Sequence, residues 1–285
     1  MHPLVSTQAL AERLQRGDAR LRLFDATVHL RAAQSGPYRI ESGRADYEAA
    51  HIPSAAFIDL SEELSDINSA LRFTMPKPAQ LEAALSAAGL SNGDDCVIYS
   101  STTPMWATRL WWMLRSVGFG AAVLDGGFAK WRAEGRRLVS GSARHAPGRF
   151  AAVADARFWA SKDEVRRAIG DGAVCTLNAL SAAVHAGTSE LHYGRKGHIK
   201  GSVNLPHASL LAADGCFKPS AELRPAFEAV GALGKARVIC YCGGGISATM
   251  AALALLLLGH ANVAVYDGSM SEWVLDPELP MELGS

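Results

Sequence analysis

The sequence predicts an α/β protein made of two like domains in tandem, each a mainly parallel sheet flanked by helices. Three observations carry this. Short apolar runs of strand length alternate with helical segments throughout the chain, the pattern of a parallel sheet covered by helices. The second half echoes the first: Ser100 to Asp125 is 125 − 100 = 25 positions and Cys242 to Asp267 is 267 − 242 = 25, while Asp125 to Trp131 and Asp267 to Trp273 are both 6. And 285 residues, 49% of them hydrophobic, suffice for two cores of ordinary domain size.

Taken in order, "LRLFDAT" (21–27) reads as the first buried strand, and "AVCTLNAL" (173–180) is its counterpart in the second half. "ADYEAAHIPSAAFIDL" (45–60) then parallels "YGRKGHIKGSVNLP" (193–206). "PAQLEAALSAAG" (78–89) reads as a helical segment. The strand "CVIYS" (96–100), the helix "ATRLWWMLRSVG" (107–118) and the strand "AAVLD" (121–125) complete the first half. In the second half a short strand over 236–240 and an apolar run over 249–258, too long for anything but a packed helix, repeat that order. "VSGSARHAPGRFAAVADA" (139–156) is rich in small residues, Gly and Pro without sustained periodicity. The expected division is a domain over 1–140, a linker over 141–156 and a second domain over 157–285.

Composition excludes several function classes. Formal net charge is +0 and no block of like charges occurs, so no nucleic-acid partner and no anionic membrane surface is implied. The first twenty residues lack a basic start followed by an apolar core, and the longest apolar run (251–258) is too short to span a bilayer. Five cysteines, at 96, 175, 216, 240 and 242, show neither paired CxxC spacing nor a Cys/His metal pattern. Free thiols in a reducing compartment, a cytoplasmic location, and no metal or organic cofactor are the expectations.

Chemistry concentrates in "YCGGGISATM" (241–250), where a strand gives way to a helix. A helix N-terminus with glycine-freed backbone amides can converge on an anion, and a thiolate is one. An unperturbed thiol near pKa 8.5 needs such help at neutral pH. Cys242 is therefore the candidate nucleophile, with Gly243, Gly244, Gly245, Ile246 and Ser247 as the donor loop. The first half supports this by contrast: the position matching Cys242 is Ser100, and its loop "SSTTPMW" has no glycine. Ser247 has two readings, a hydrogen bond to the thiolate or a helix cap. Cys240 reads as core packing rather than a resolving thiol. His51 and His198 read as fixing the loops that follow, Asp125 and Asp267 as capping the turn after a strand, and Trp106, Trp111, Trp112, Trp131 and Trp273 mainly as helix packing.

The loop "CGGGIS" (242–247), the signature "GHIKGSVNLP" (197–206) with its counterpart "HIPSAAF" (51–57), and the paired "LDGGFAKW" and "YDGSMSEW" segments together resemble the tandem-domain rhodanese-type sulfurtransferases over essentially the whole chain. The resemblance implies two rhodanese-like domains and a catalytic cysteine in the second that carries sulfur as a persulfide. Related phosphatase loops place arginine six residues after the cysteine, whereas Ala248 stands here, which argues against phosphoryl chemistry. A neutral loop is similar to the mercaptopyruvate type, with Gly244 in place of its serine and Ser247 in place of its threonine. The implied donor is therefore a small sulfur compound, 3-mercaptopyruvate ahead of thiosulfate, and the implied acceptor a thiol, a thioredoxin-like protein or cyanide. Where the family carries its substrate arginines, "NALSAAVHAG" (178–187) has Asn178, Leu180 and Val184. The cations nearest in sequence to the His198 signature, Arg195 and Lys196, are the candidate replacements. Two other classes stand beside this reading: a persulfide carrier or sulfur-sensing module with little turnover, and a redox-regulatory protein using a Cys240–Cys242 pair.

Overall fold

A computed structural model describes residues 2–31, 33 and 37–284. Each half contributes one fully parallel five-stranded sheet. In the first the order is Leu4–Val5, Ala121–Leu124, Asp95–Tyr99, Leu21–Asp25, Ala55–Phe57; in the second it is Trp159–Ala160, Val263–Tyr266, Arg237–Tyr241, Val174–Asn178, Val203–Asn204. The order is the same in both, as the repeat spacing requires. Small antiparallel pairs, Val28–Arg31 with Arg39–Ser42 and His198–Ile199 with Met281–Glu282, sit outside the sheets.

The signature histidines belong to the scaffold. His51 Nδ1 lies 2.8 Å from Tyr47 O and its ring stacks on Tyr47; His198 Nδ1 lies 2.8 Å from His185 O and its ring stacks on His185. The residue after each, Ile52 or Ile199, donates its amide to the hydroxyl of Tyr99 or Tyr241, the last residue of the central strand. Each signature is thus tied to the strand end where ligands gather in open parallel sheets.

The two halves meet through a pair of helices. Ala248–Leu257 is apolar all round, as a helix buried on every side must be, and every residue from Ala248 to Leu255 is buried. It packs against Met105–Ser116 of the first half, with Thr108 and Thr249 hydroxyls 2.7 Å apart at the seam. Asp125 and Asp267 correct the sequence reading. Neither caps its own turn: Asp125 accepts the Phe217 amide at 2.8 Å and Asp267 accepts the Met75 amide at 2.7 Å, each from the other half. Met75 and Phe217 stand at matching places, each two residues before the N-cap of its helix (77 − 75 = 2; 219 − 217 = 2). The repeat therefore encodes a reciprocal clamp between domains.

The segment 141–156 is fastened to the first half. Gly141, Gly148, Val153 and Asp155 donate amides to the carbonyls of Glu48, Ser86, Val117 and Ser116, and Ala151 bonds Asn92. No helix among the described residues is long and apolar enough to cross a membrane.

Candidate active site

Cys242 is the first residue past the central strand of the second sheet and is 2% exposed. It lies on an interdomain cavity of about 440 Å³ that is walled mainly by apolar side chains, among them Phe73 and Trp106 from the first half and Leu180 and Val184 from the second. The loop after it is held from below. Ser269 Oγ accepts the amides of both Cys242 and Gly245 at 3.1 Å and donates to Tyr266 O at 2.7 Å. The Gly243 carbonyl accepts the Ser271 amide and hydroxyl.

Ser269 is completely buried and holds φ +48°, in the left-handed region that non-glycine residues seldom adopt. The first-half counterpart is Gly127, at φ +57° (269 − 127 = 142, the offset between Cys242 and Ser100). A side chain is thus kept in a conformation suited to glycine where its hydroxyl anchors the reactive loop. Sequence reasoning missed Ser269, although the change from "DGG" to "DGS" in the aligned repeat was its signal.

Of the five loop residues expected to supply donors, Gly245 spends its amide on Ser269. The amides of Gly243, Gly244, Ile246 and Ser247 have no acceptor among the described residues. Ser247 precedes the helix Ala248–Leu257 but its side chain makes no cap bond, so the hydroxyl too is left to the cavity it lines. Gly245 needs its glycine: at φ +71°, a β-carbon there would stand 2.7 Å from Asp267 O.

Arg109 supports the loop from the other domain. It is 1% exposed; its guanidinium donates to Gly245 O at 3.1 Å and to Phe73 O, lies 2.7 Å from Asp267 Oδ1, and stacks over Trp159. Asp267 thus joins the Arg109 ion pair to the Met75 clamp.

The structure does not bring Arg195 and Lys196 to Cys242. Arg195 donates to the carbonyls of Asp276 and Leu279, pinning the C-terminal segment, and Lys196 pairs with exposed Glu190. Among the described residues, the cavity's cationic and imidazole groups are Arg31 of the first half and His207 of the second. His207 Nδ1 lies 2.9 Å from Ala179 O, which leaves Nε2 for a ligand. Cys240 lies in the core of the sheet, and burial pushes its thiol well above the usual range. All five cysteines are free, and no metal-binding cluster occurs among the described residues.

This arrangement, a thiol at a strand end followed by a loop with four unpartnered amides, coincides with a family match. Residues 6–134 and 161–276 both match the model of the rhodanese-like domain. The chain belongs to the rhodanese family. Among its rhodanese relatives are a probable 3-mercaptopyruvate sulfurtransferase of Pseudomonas aeruginosa, 32% identical over 288 residues (99% of this chain, 98% of that one). Another is a thiosulfate sulfurtransferase of Cricetulus griseus, 32% identical over 278 residues (95% and 91%). The crystal structure of SseA from Escherichia coli, a 3-mercaptopyruvate sulfotransferase, superposes with a TM-score of 0.82 at 30% identity, covering 95% of this chain and 100% of that one. The chain is accordingly a rhodanese-type sulfurtransferase.

Proposed function

We propose that the second domain (157–285) carries a sulfane sulfur on Cys242, taken from a small donor and passed to a thiol, a thioredoxin-like protein or cyanide. The first domain (1–140), joined through 141–156, walls the cavity without catalysing. The observation that carries this reading is the placement of Cys242 at the head of a cavity-lining loop in which four amides, two of them from glycines, have no acceptor among the described residues. Those dipoles favour the thiolate before transfer and the persulfide anion after it. The thiolate attacks the donor's outer sulfur, a new S–S bond forms at Cys242, and the bond from that sulfur to the rest of the donor breaks.

We favour 3-mercaptopyruvate over thiosulfate because the loop carries no cation to face a dianion, and the walls are largely apolar. Arg31 and His207, one from each domain, are the groups we assign to the donor's carboxylate. Five free thiols fit a reducing compartment, and we place the protein in the cytoplasm.

Intact-mass measurement after brief exposure to each donor tests the proposal. Wild type gains one sulfur and Cys242→Ser gains none; an adduct retained in the serine variant removes Cys242 from the mechanism. Labelling without multiple turnover would convert the enzyme reading into a persulfide carrier.

A further inference from the structure

Two tyrosines flank the reactive loop, and the mechanism above leaves them unused. Tyr38 comes from the first domain, directly before the strand Arg39–Ser42, and Tyr193 from the second, five residues before His198. Both line the cavity with Cys242, and their rings meet edge to face with centroids 6.4 Å apart. Their hydroxyls have no hydrogen-bond partner among the described residues, whereas the scaffold tyrosines Tyr47, Tyr99 and Tyr241 spend theirs on Ala55, Ile52 and Ser202.

The hydroxyls lie over the loop. A β-carbon on Gly243 would collide with the Tyr193 hydroxyl, so glycine at 243 is what lets that phenol approach the backbone beside the thiol. The Tyr38 hydroxyl lies 3.9 Å from where a β-carbon of Gly244 would sit. Burial pushes both phenols upward, followed for Tyr38 by negative charge at Cys242, which takes it to about 12, and for Tyr193 by the neighbouring Tyr38 and then Cys242. Both therefore keep their protons at neutral pH and act as donors.

We propose that Tyr38 and Tyr193 are catalytic residues that hydrogen-bond the oxygen of the leaving group as it develops negative charge. This rests on the Cys242 reading. With 3-mercaptopyruvate, the thiolate bonds to the donor sulfur and the C–S bond breaks, its electron pair passing into the pyruvate enolate. The phenols hold the enolate oxygen. The proton of the donor's S–H ends on the methyl carbon, leaving pyruvate and the Cys242 persulfide anion. With thiosulfate the departing sulfite's oxygens are already charged in the bound donor, so the same phenols bind ground and transition states alike.

The test measures steady-state turnover and single-turnover persulfide formation, by intact mass, on full-length wild type, Tyr38→Phe, Tyr193→Phe and the double variant. Phenylalanine removes only an unpartnered hydroxyl, so the thermal midpoint should hold. With 3-mercaptopyruvate we expect kcat to fall about tenfold or more per hydroxyl with KM nearly constant; with thiosulfate, KM should rise while kcat stays. A double variant that keeps kcat for 3-mercaptopyruvate within threefold of wild type, while Cys242 is still labelled, overturns the tyrosine assignment alone. Should one variant lose its fold, the other single variant decides by the same criterion. Absence of any adduct on wild-type Cys242 with either donor overturns both readings.

Discussion

Replacing Ser269 separates the anchor from the strain it carries. In Ser269→Ala the two amides of Cys242 and Gly245 and the carbonyl of Tyr266 lose their shared partner at a site closed to solvent. An unsatisfied buried donor costs about 1–3 kcal/mol, so the two amides alone predict a loss of about 3 kcal/mol, allowing for partial relaxation. Ser269→Gly loses the same bonds but releases a left-handed residue, worth about 1–2 kcal/mol. The glycine variant should therefore be the more stable of the two by about 1 kcal/mol, although it removes more side chain. Urea unfolding with common slopes measures the difference. Both variants should also form the persulfide at least about tenfold more slowly, because the loop amides are no longer fixed. Alanine matching wild type in stability and in persulfide rate would refute the anchoring argument; alanine exceeding glycine in stability would refute the strain.

The three loop glycines should behave differently under serine substitution. Gly244→Ser meets only ordinary contacts, the nearest at 3.8 Å, and should fold with stability within about 0.5 kcal/mol of wild type, whereas Gly243→Ser collides with Tyr193 and Gly245→Ser is barred by φ +71°. Comparing soluble yield and melting of the three variants checks this ordering. Arg109→Met strips the partner from Asp267 and from Gly245 O in a buried interface, which should cost about 3–5 kcal/mol; a measured loss below about 1 kcal/mol would show the pair to be solvated. Burial and the neighbouring His198 lower the His185 imidazole to about 4. The unfolded chain then binds the proton first as pH falls, so stability is complete above about 6.5 and drains away toward about 4, by about 3 kcal/mol in all. His185→Gln should remove that component from the wild-type curve of stability against pH.

Much of the fold was legible because duplication makes a sequence its own control. Matched spacings located both central strands and the loop after Cys242, whereas the strand order came only from the structure. The parts that stayed hidden depend on direction rather than position. Arg195 is near the His198 signature in sequence, yet its guanidinium turns to the carbonyls of Asp276 and Leu279, a choice set by how the C-terminal segment folds back. Asp125 and Asp267 were correctly paired in the repeat, but their partners, Phe217 and Met75, lie across the domain interface and follow no local rule. Arg31, Tyr38 and His207 reach the cavity from outside the matched segments, and Tyr193 only opens one, where no periodicity marks which side chains will converge.

The asymmetry between the halves is more than the exchange of a serine for a cysteine. At Ser100 the hydroxyl donates to Thr103 O, closing the loop on itself, and Pro104 heads the following helix, so that loop also lacks one amide. Its anchor position is Gly127, which offers no hydroxyl. Arg109 exists only on the first helix, since its counterpart by the 142-residue offset is Ala251. The first domain therefore gave up its own loop while supplying the guanidinium that braces the loop of the second. It follows that Ser100→Cys alone should not create a second persulfide site: the thiol would lack the glycine-freed amides, the Ser269-type anchor and the brace from across the interface.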